Sequence, residues 1–198
     1  MSVKKIVNAI KVKRVLSMDP SSNSLAWVIF DHTANGISMV ACGKINFRET
    51  KEISSKFKII NKELKEIHKQ YGAEIAVIEQ SIYVQNFESS RIISYIIGYS
   101  WGVLSGFGVE MMDINPLIWK NKIGYKNISA TDKNRIDKNG EKGSLQAKLK
   151  KERKSRVREI VKTYFINHPD SLEDDDIIDA AGIGLWYATK KIQQASNG

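Results

Sequence analysis

Short apolar runs broken by turn-forming residues open the chain. VLSMD and LAWVIF flank the turn-rich Pro-Ser-Ser-Asn, and MVACGKINF follows with alternating character, which predicts three antiparallel strands. The period then changes: in KEISSKFKIINKELKEIHKQYG, Ile53, Phe57, Ile60, Leu64 and Ile67 recur at spacings of four and three and stop at Gly72, the signature of an amphipathic helix laid over a sheet. EIAVIEQ reads as a short β-branched strand ending in a carboxylate, Glu79. A second helix, about Glu88 to Leu104, carries Gly98, Gly102 and Ser105 among Ile, Tyr and Trp, so it can approach another helix closely. VEMMDINP is a fifth strand stopped by Pro116; SRVREIVKTYF is helical, and SLEDDDIIDAAGIGLWYATKK is a final helix after Pro169. All three prolines fall between elements. The pattern is α/β: a central mixed five-stranded sheet, its first three strands antiparallel, flanked by helices.

Composition leaves this picture as a single domain over residues 1–198, because 198 residues with 42% hydrophobic content can bury one core unaided. A single cysteine, Cys42, excludes an internal disulfide framework and a cysteine-based zinc site. The opening MSVKKIVNAIKVKR lacks the apolar core of a signal peptide, and nowhere do 18 apolar residues run together, so the expected compartment is cytoplasmic and membrane-free.

Charge changes the picture more. The net charge is +9, yet residues 120–158 hold 14 Lys or Arg against 4 acids, leaving 17 against 18 in the rest of the chain. The entire basic excess is one segment, polar enough within SATDKNRIDKNGEKGS to read as a solvated loop. A concentrated basic field beside a neutral body suits a polyanion, which points to nucleic acid, with Lys148, Lys150, Lys151, Lys154 and Arg156 as phosphate-contacting candidates.

The acids complete the pattern. Ser171 and Asp174 have the spacing of a capping box, and Glu173 to Asp176 suit a helix N-terminus. That accounts for them but not for Asp179, which lies among Ile177, Ile178, Ala180, Ala181 and Ile183, where an ionised carboxylate costs several kcal/mol unless something pairs with it. Asp176 and Asp179 share a helical face; Asp19 and Glu79 end strands. Four clustered carboxylates repel by roughly 4 kcal/mol per pair at about 4 Å, so they seldom converge without a cation. Oxygen-only ligands select Mg²⁺ or Mn²⁺, and a pair of such ions suits phosphodiester hydrolysis.

These motifs, in this order, resemble the RuvC Holliday-junction resolvases of the RNase H-like superfamily. MDPSSNSLAWVIF looks like their first strand and turn, IAVIEQSIYVQN their second acidic strand, DDDIIDAAGIG their final Asp-x-x-Asp-Ala helix, and RKSRVREIVKTYF the basic helix before it; the likeness spans residues 14–191. It implies an RNase H-like fold and a crossover junction endodeoxyribonuclease. Such an enzyme works as a homodimer on four-way and other branched DNA, leaving 5′-phosphate ends through two Mg²⁺ or Mn²⁺ ions per site. It makes Asp19, Glu79, Asp176 and Asp179 metal ligands, with Asp175 the substitute for Asp176, and places Lys154, with Lys120 or Lys122, near the scissile phosphate. The chain departs from the family at Ser21, where glycine commonly follows Asp-Pro, and at the junction-probing aromatic, where Ile82 stands and Tyr83 lies beside it. Residues 125–152 resemble an insertion, and the Ile/Lys/Asn-rich usage resembles versions carried by phages such as those of lactococci. A ribonuclease H acting on RNA/DNA hybrid, or a non-catalytic junction-binding protein, are the alternatives.

Other features have ordinary readings. His32, His68 and His168 are scattered among polar neighbours. The four tryptophans, Trp27, Trp101, Trp119 and Trp186, are expected as core or interface anchors. Asp113 precedes Asn115 and Pro116, where a turn is expected.

Overall fold

The protein is described from a computed structural model covering residues 13–33, 36–82, 87–138, 144–165 and 173–196. Five strands form one sheet in the order β3-β2-β1-β4-β5. These are β1 (Lys13–Pro20), β2 (Ser24–Thr33), β3 (Gly36–Asn46), β4 (Ile75–Glu79) and β5 (Glu110–Ile114). β1, β2 and β3 pair antiparallel, whereas β4 lies parallel to β1 and β5 parallel to β4. This is the mixed sheet expected from the apolar runs.

Strand alternation divides the interior into two cores. Val15, Ala26, Val28, Phe30, Ile75 and Val77 face one side, where they meet α5 (Leu145–Tyr164) and α6 (Asp175–Ser196). Leu16, Met18, Leu25, Ile29, Ala76 and Ile78 face the other, against α1 (Ile53–Tyr71) and α2 (Phe87–Ser105). α1 ends where the sequence says it should, with Gly72 in the left-handed conformation at φ 64° donating its N–H to the carbonyl of His68. Phe57, on the α2 side of α1, stacks on Tyr99 with centroids 4.2 Å apart.

Three local details differ from expectation. The stop after β5 is a helix start: Asn115 caps α3 (Pro116–Lys122) by accepting from the N–H of Leu117, with Pro116 where its missing N–H costs nothing. Asp113 accordingly lies inside β5, where its carboxylate accepts from Gln80 at 2.9 Å. The polar stretch expected as a loop contains α4 (Ala130–Lys138), opened by reciprocal bonds between Ser129 and Asp132. α6 is capped by Asp174 itself, whose carboxylate accepts from the N–H groups of Asp176 and Ile177 at 2.9 and 3.3 Å; the proposed partner Ser171 lies outside the described residues. Among the described residues no helix is long and apolar enough to cross a membrane.

Candidate active site at the carboxyl ends of the central strands

Period-2 geometry brings the first two acids together. Val15 faces α6, so Ser17 and Asp19 do as well; by the same count Ile75, Val77 and Glu79 share that face of β4. Met18 is aligned with Ile78 across the parallel β1–β4 pair, which puts Asp19 and Glu79 side by side at the carboxyl ends of neighbouring strands. α6 crosses that face and supplies Asp179 and Asp176 from its first turns. The helix can lie close to its neighbours because Gly184 faces the sheet and Gly182 faces the Trp119 side chain: a Cβ on Gly182 would stand 2.5 Å from the Trp119 ring, and one on Gly184 2.6 Å from Phe30.

The turn that aims Asp19 is held by Ser21. Its hydroxyl accepts from the N–H of Ser24 at 2.9 Å, and no non-glycine residue among those described has a positive φ. Glycine is therefore not required at that position; a serine side chain does the work of the turn.

Electrostatics show that the acids sense one another. Asp19 is half-buried, and its carboxyl is held well above the ordinary carboxylate range by burial first and by the charges of Glu79 and Asp179 next, with Lys154 opposing. Burial also raises Glu79, against the Trp119 hydrogen bond and the nearby Lys120 charge. Burial alone would lower Lys154; Asp179, together with Asp19 and Asp176, outweighs it and raises the ammonium. Lys154 is ion-paired with one oxygen of the buried Asp179, while the other oxygen, Oδ1, is buried with no hydrogen-bond partner. Among the described residues no three His, Cys, Asp or Glu side chains already form a cage for a cation; the Lys154 ammonium stands among them. An unpartnered buried carboxylate oxygen, two mutually repelling acids and an all-oxygen donor set nevertheless fit a hard divalent cation.

The two neighbouring acids Asp175 and Asp176 have different partners. Asp176 acts on both Asp19 and Lys154, whereas Asp175 pairs with Arg158 at 3.1 Å. Asp176 also accepts from Lys44 at 2.8 Å, and Lys44 reaches Asp174 at 2.7 Å.

The remaining candidates are dispersed. Lys120 lies over the Trp119 ring, 4.8 Å from its centroid, beside the acids, while Lys122 is exposed at the end of α3. Lys150 and Lys151 are exposed on α5, and Lys148 donates to the carbonyl of Asp137 at 3.2 Å. Arg156 bonds Glu152 at 2.9 Å, Asp132 at 3.1 Å and the carbonyl of Lys126 at 3.1 Å, so its guanidinium fastens α4 and its leading segment onto α5 instead of standing free for phosphate. Tyr83 lies outside the described residues; Ile82 is exposed.

Three residues escaped sequence reading. Trp119 is fully buried as expected of an anchor, but its indole N–H also donates to Glu79 Oε2 at 2.6 Å, fixing that carboxylate. Lys44 is opposite Ala26, which is opposite Asp19, so it joins the site through a three-strand register. Lys56 is buried in α1 and donates to the carbonyls of Ser22 and Phe47, both at 3.1 Å, tying the turn after Asp19 to the helix. Only a lysine on the core face of a helical pattern could have flagged the last.

The chain is similar to known proteins in sequence and in fold. Residues 15–104 match the family model described as crossover junction endodeoxyribonuclease RuvC. The RuvC of Rickettsia felis is 25% identical over 112 residues, 56% of this chain and 72% of that one. The RuvC of Alkaliphilus oremlandii is 21% identical over 175 residues, 88% of this chain and 92% of that one. Among solved structures, Thermus thermophilus RuvC superimposes with a TM-score of 0.68 at 13% identity, covering 91% of this chain and 96% of that one. A yeast mitochondrial Holliday junction resolvase gives 0.60 at 11% identity, covering 93% and 84%. The matched segment makes residues 15–104 similar to RuvC proteins, and the superpositions show that the chain shares their fold.

Proposed function

We propose that this chain is a metal-dependent, structure-selective DNA endonuclease that resolves four-way junctions by paired nicks. One observation carries the reading: Asp19, Glu79, Asp176 and Asp179 converge at one end of the sheet, around Lys154 of the basic helix α5. The likeness to RuvC proteins, one of them solved in complex with a Holliday junction substrate, supports the same substrate class. Two Mg²⁺ or Mn²⁺ ions held by the four carboxylates would activate water and stabilise the leaving oxygen of a phosphodiester.

The protein's own residues have separable tasks. Trp119 fixes one oxygen of Glu79, leaving the other to the cluster. Lys154 compensates Asp179 and stands where a phosphate must approach. Lys44 holds Asp176 at the rim. Lys120, Lys150 and neighbouring cations of α5 supply the field that draws the DNA backbone in.

A homodimer completes the proposal, since a junction of near two-fold symmetry needs two sites. On α2, Ile96, Ser100 and Leu104 are buried, whereas Phe87 and Tyr95 are exposed and a Cβ on Gly98 or Gly102 would meet nothing within 4 Å. That open stripe suits a second copy.

The test compares a labelled four-way junction, a linear duplex and an RNA/DNA hybrid, with Mg²⁺ and with EDTA. The junction should be cut in Mg²⁺ alone, and Asp179→Asn should bind it yet cut it slower by orders of magnitude. Preferred cleavage of the hybrid would make the protein a ribonuclease H, and binding without cleavage a junction-binding protein.

A further inference from the structure

A cleft of about 390 Å³ adjoins the acidic cluster, with Lys154 and Asp179 in its wall. Its other faces come from α5 and from the segment between α3 and α4. Lys150, Arg153, Lys154 and Val157 are spaced three, one and three apart and so form one face of α5. Tyr125 and Asn127 face them. The volume lies in the range of clefts that take a small organic group, about 300–1,000 Å³.

This wall is built. Gly124, at φ 87°, turns the chain after α3, and the N–H of Tyr125 bonds the carbonyl of Lys120 at 3.0 Å. Arg156 holds the carbonyl of Lys126, and the same guanidinium grips Asp132, the residue that shares the start of α4 with Ser129. Tyr125 packs on the core at its inner side. The segment is thus held at Tyr125, by backbone and ring, and at Lys126, by its carbonyl.

The chemistry of the lining is specific. Lys150 and Arg153 offer charge to a phosphate. Tyr125 offers an aromatic ring to a base, a contact that is tolerant of base identity. Asn127 offers both a donor and an acceptor, which can pair with the edge of a base. Asp179, the one acid in the lining, is already compensated by Lys154. Phosphate, ring and base edge together define a nucleotide, and a cleft of this size beside helix α5 admits it only if it has left the base stack.

We infer that this cleft receives one unstacked nucleotide adjoining the scissile phosphate, and that Tyr125 and Asn127 set nucleotide preference at the cut. The inference rests on the nuclease reading, and it explains why branched DNA, whose branch point frees a nucleotide at low cost, would be preferred over duplex.

The test uses 2-aminopurine, a base whose fluorescence rises on unstacking and falls on stacking against an aromatic ring, placed in turn on either side of the cleaved phosphate of a four-way junction. Binding is read in EDTA, so no strand is cut. With wild-type protein one flanking position should change its fluorescence about fivefold, and the others little. Asn127→Ala should abolish most of that change while junction affinity stays within about threefold, Tyr125→Ala should raise the signal further by removing the quenching ring, and Tyr125→Phe should retain the wild-type signal. In Mg²⁺, Asn127→Ala should still cut junctions but with a flattened preference at that nucleotide. Asn127 is exposed, so its variant decides the matter even if Tyr125→Ala proves unfolded by circular dichroism. Wild-type fluorescence from every variant, or none from any position with wild-type protein, overturns the subsite. Failure of the wild type to cut the junction at all instead overturns the nuclease reading.

Discussion

Replacing Asp19 by Asn should make the metal-free protein more stable. Asp19 lies on the α6 face of the sheet, where burial chiefly, then Glu79 and Asp179, oppose its ionisation and Lys154 favours it. A like charge about 6 Å away costs roughly 3 kcal/mol at an effective dielectric near 20, and an ammonium at similar range offsets about as much. With Asp176 included, three like charges stand against one ammonium, so about two repulsions remain beside the loss of solvation, reduced to a net of about 1–3 kcal/mol by relaxation and solvent screening. The sign follows from the direction of the shift: a carboxyl raised in the folded state destabilises the fold above its raised value, and the penalty disappears as pH falls toward the ordinary value of about 4. The neutral amide removes it at all pH. For a chain of this size the gain is about 2–12 °C in melting temperature, measured by calorimetry in EDTA near about pH 7.5. The difference between variant and wild type should shrink toward about pH 4. Added Mg²⁺ should raise the wild-type transition and leave Asp19→Asn nearly unmoved. A variant that melts below wild type in EDTA at neutral pH would refute the reasoning, because Asp19 would then be held by favourable contacts and not kept there at a cost.

Three further outcomes follow from the geometry. Trp119→Phe keeps a ring in the core but removes the donor to Glu79, so Mn²⁺ affinity measured by calorimetry should weaken about 10–150-fold, the value of a hydrogen bond to a charged group; unaltered affinity would relieve Trp119 of that role. Replacing Lys148, Lys150 and Lys151 together by Ala, with Lys154 kept for its pairing to Asp179, should make the slope of log K against log salt shallower by about 2–3. An unchanged slope means these charges never meet phosphate. Gly98→Leu meets open space within its own protomer, so it should fold normally yet sediment as a monomer and convert a cruciform plasmid to nicked circle instead of linear product; paired cutting by a dimer would remove α2 from the interface.

What the sequence revealed and concealed follows from the range of the interactions. Short-range signals were legible: the Ile53–Ile67 periodicity with Gly72 after it, the β-branched run ending at Glu79, and the anomaly of Asp179 among isoleucines and alanines. The chemistry expected of Asp19 and Glu79 also needs only strand alternation and one parallel register to become plausible. Long-range partners were not legible. Lys44 is brought level with Asp19 by two strand pairings and meets Asp176 of α6 from there, and Trp119 reaches Glu79 across 40 residues, so no local pattern marks either. The basic segment misled because its composition resembles a solvated loop. Its helix α4 buries just one residue, Ile136, and is fastened by Arg156 and Asp132 ion pairs, which carry no periodic signature.

α6 carries a consequence for how the protein fails. Every residue from Ile177 to Ala188 is buried, and Asp179 is one of them. The helix that presents two of the acids is therefore also the central pillar of one core, and it cannot unwind locally without exposing that core to water. Unwinding of the helix at the acidic cluster and loss of the whole fold become a single cooperative event. Mutations that weaken packing anywhere along α6 should lower the amount of intact protein while leaving each surviving molecule fully competent. Under the proposed function, a population of half-assembled molecules that nick DNA without completing the paired cut is thereby kept rare.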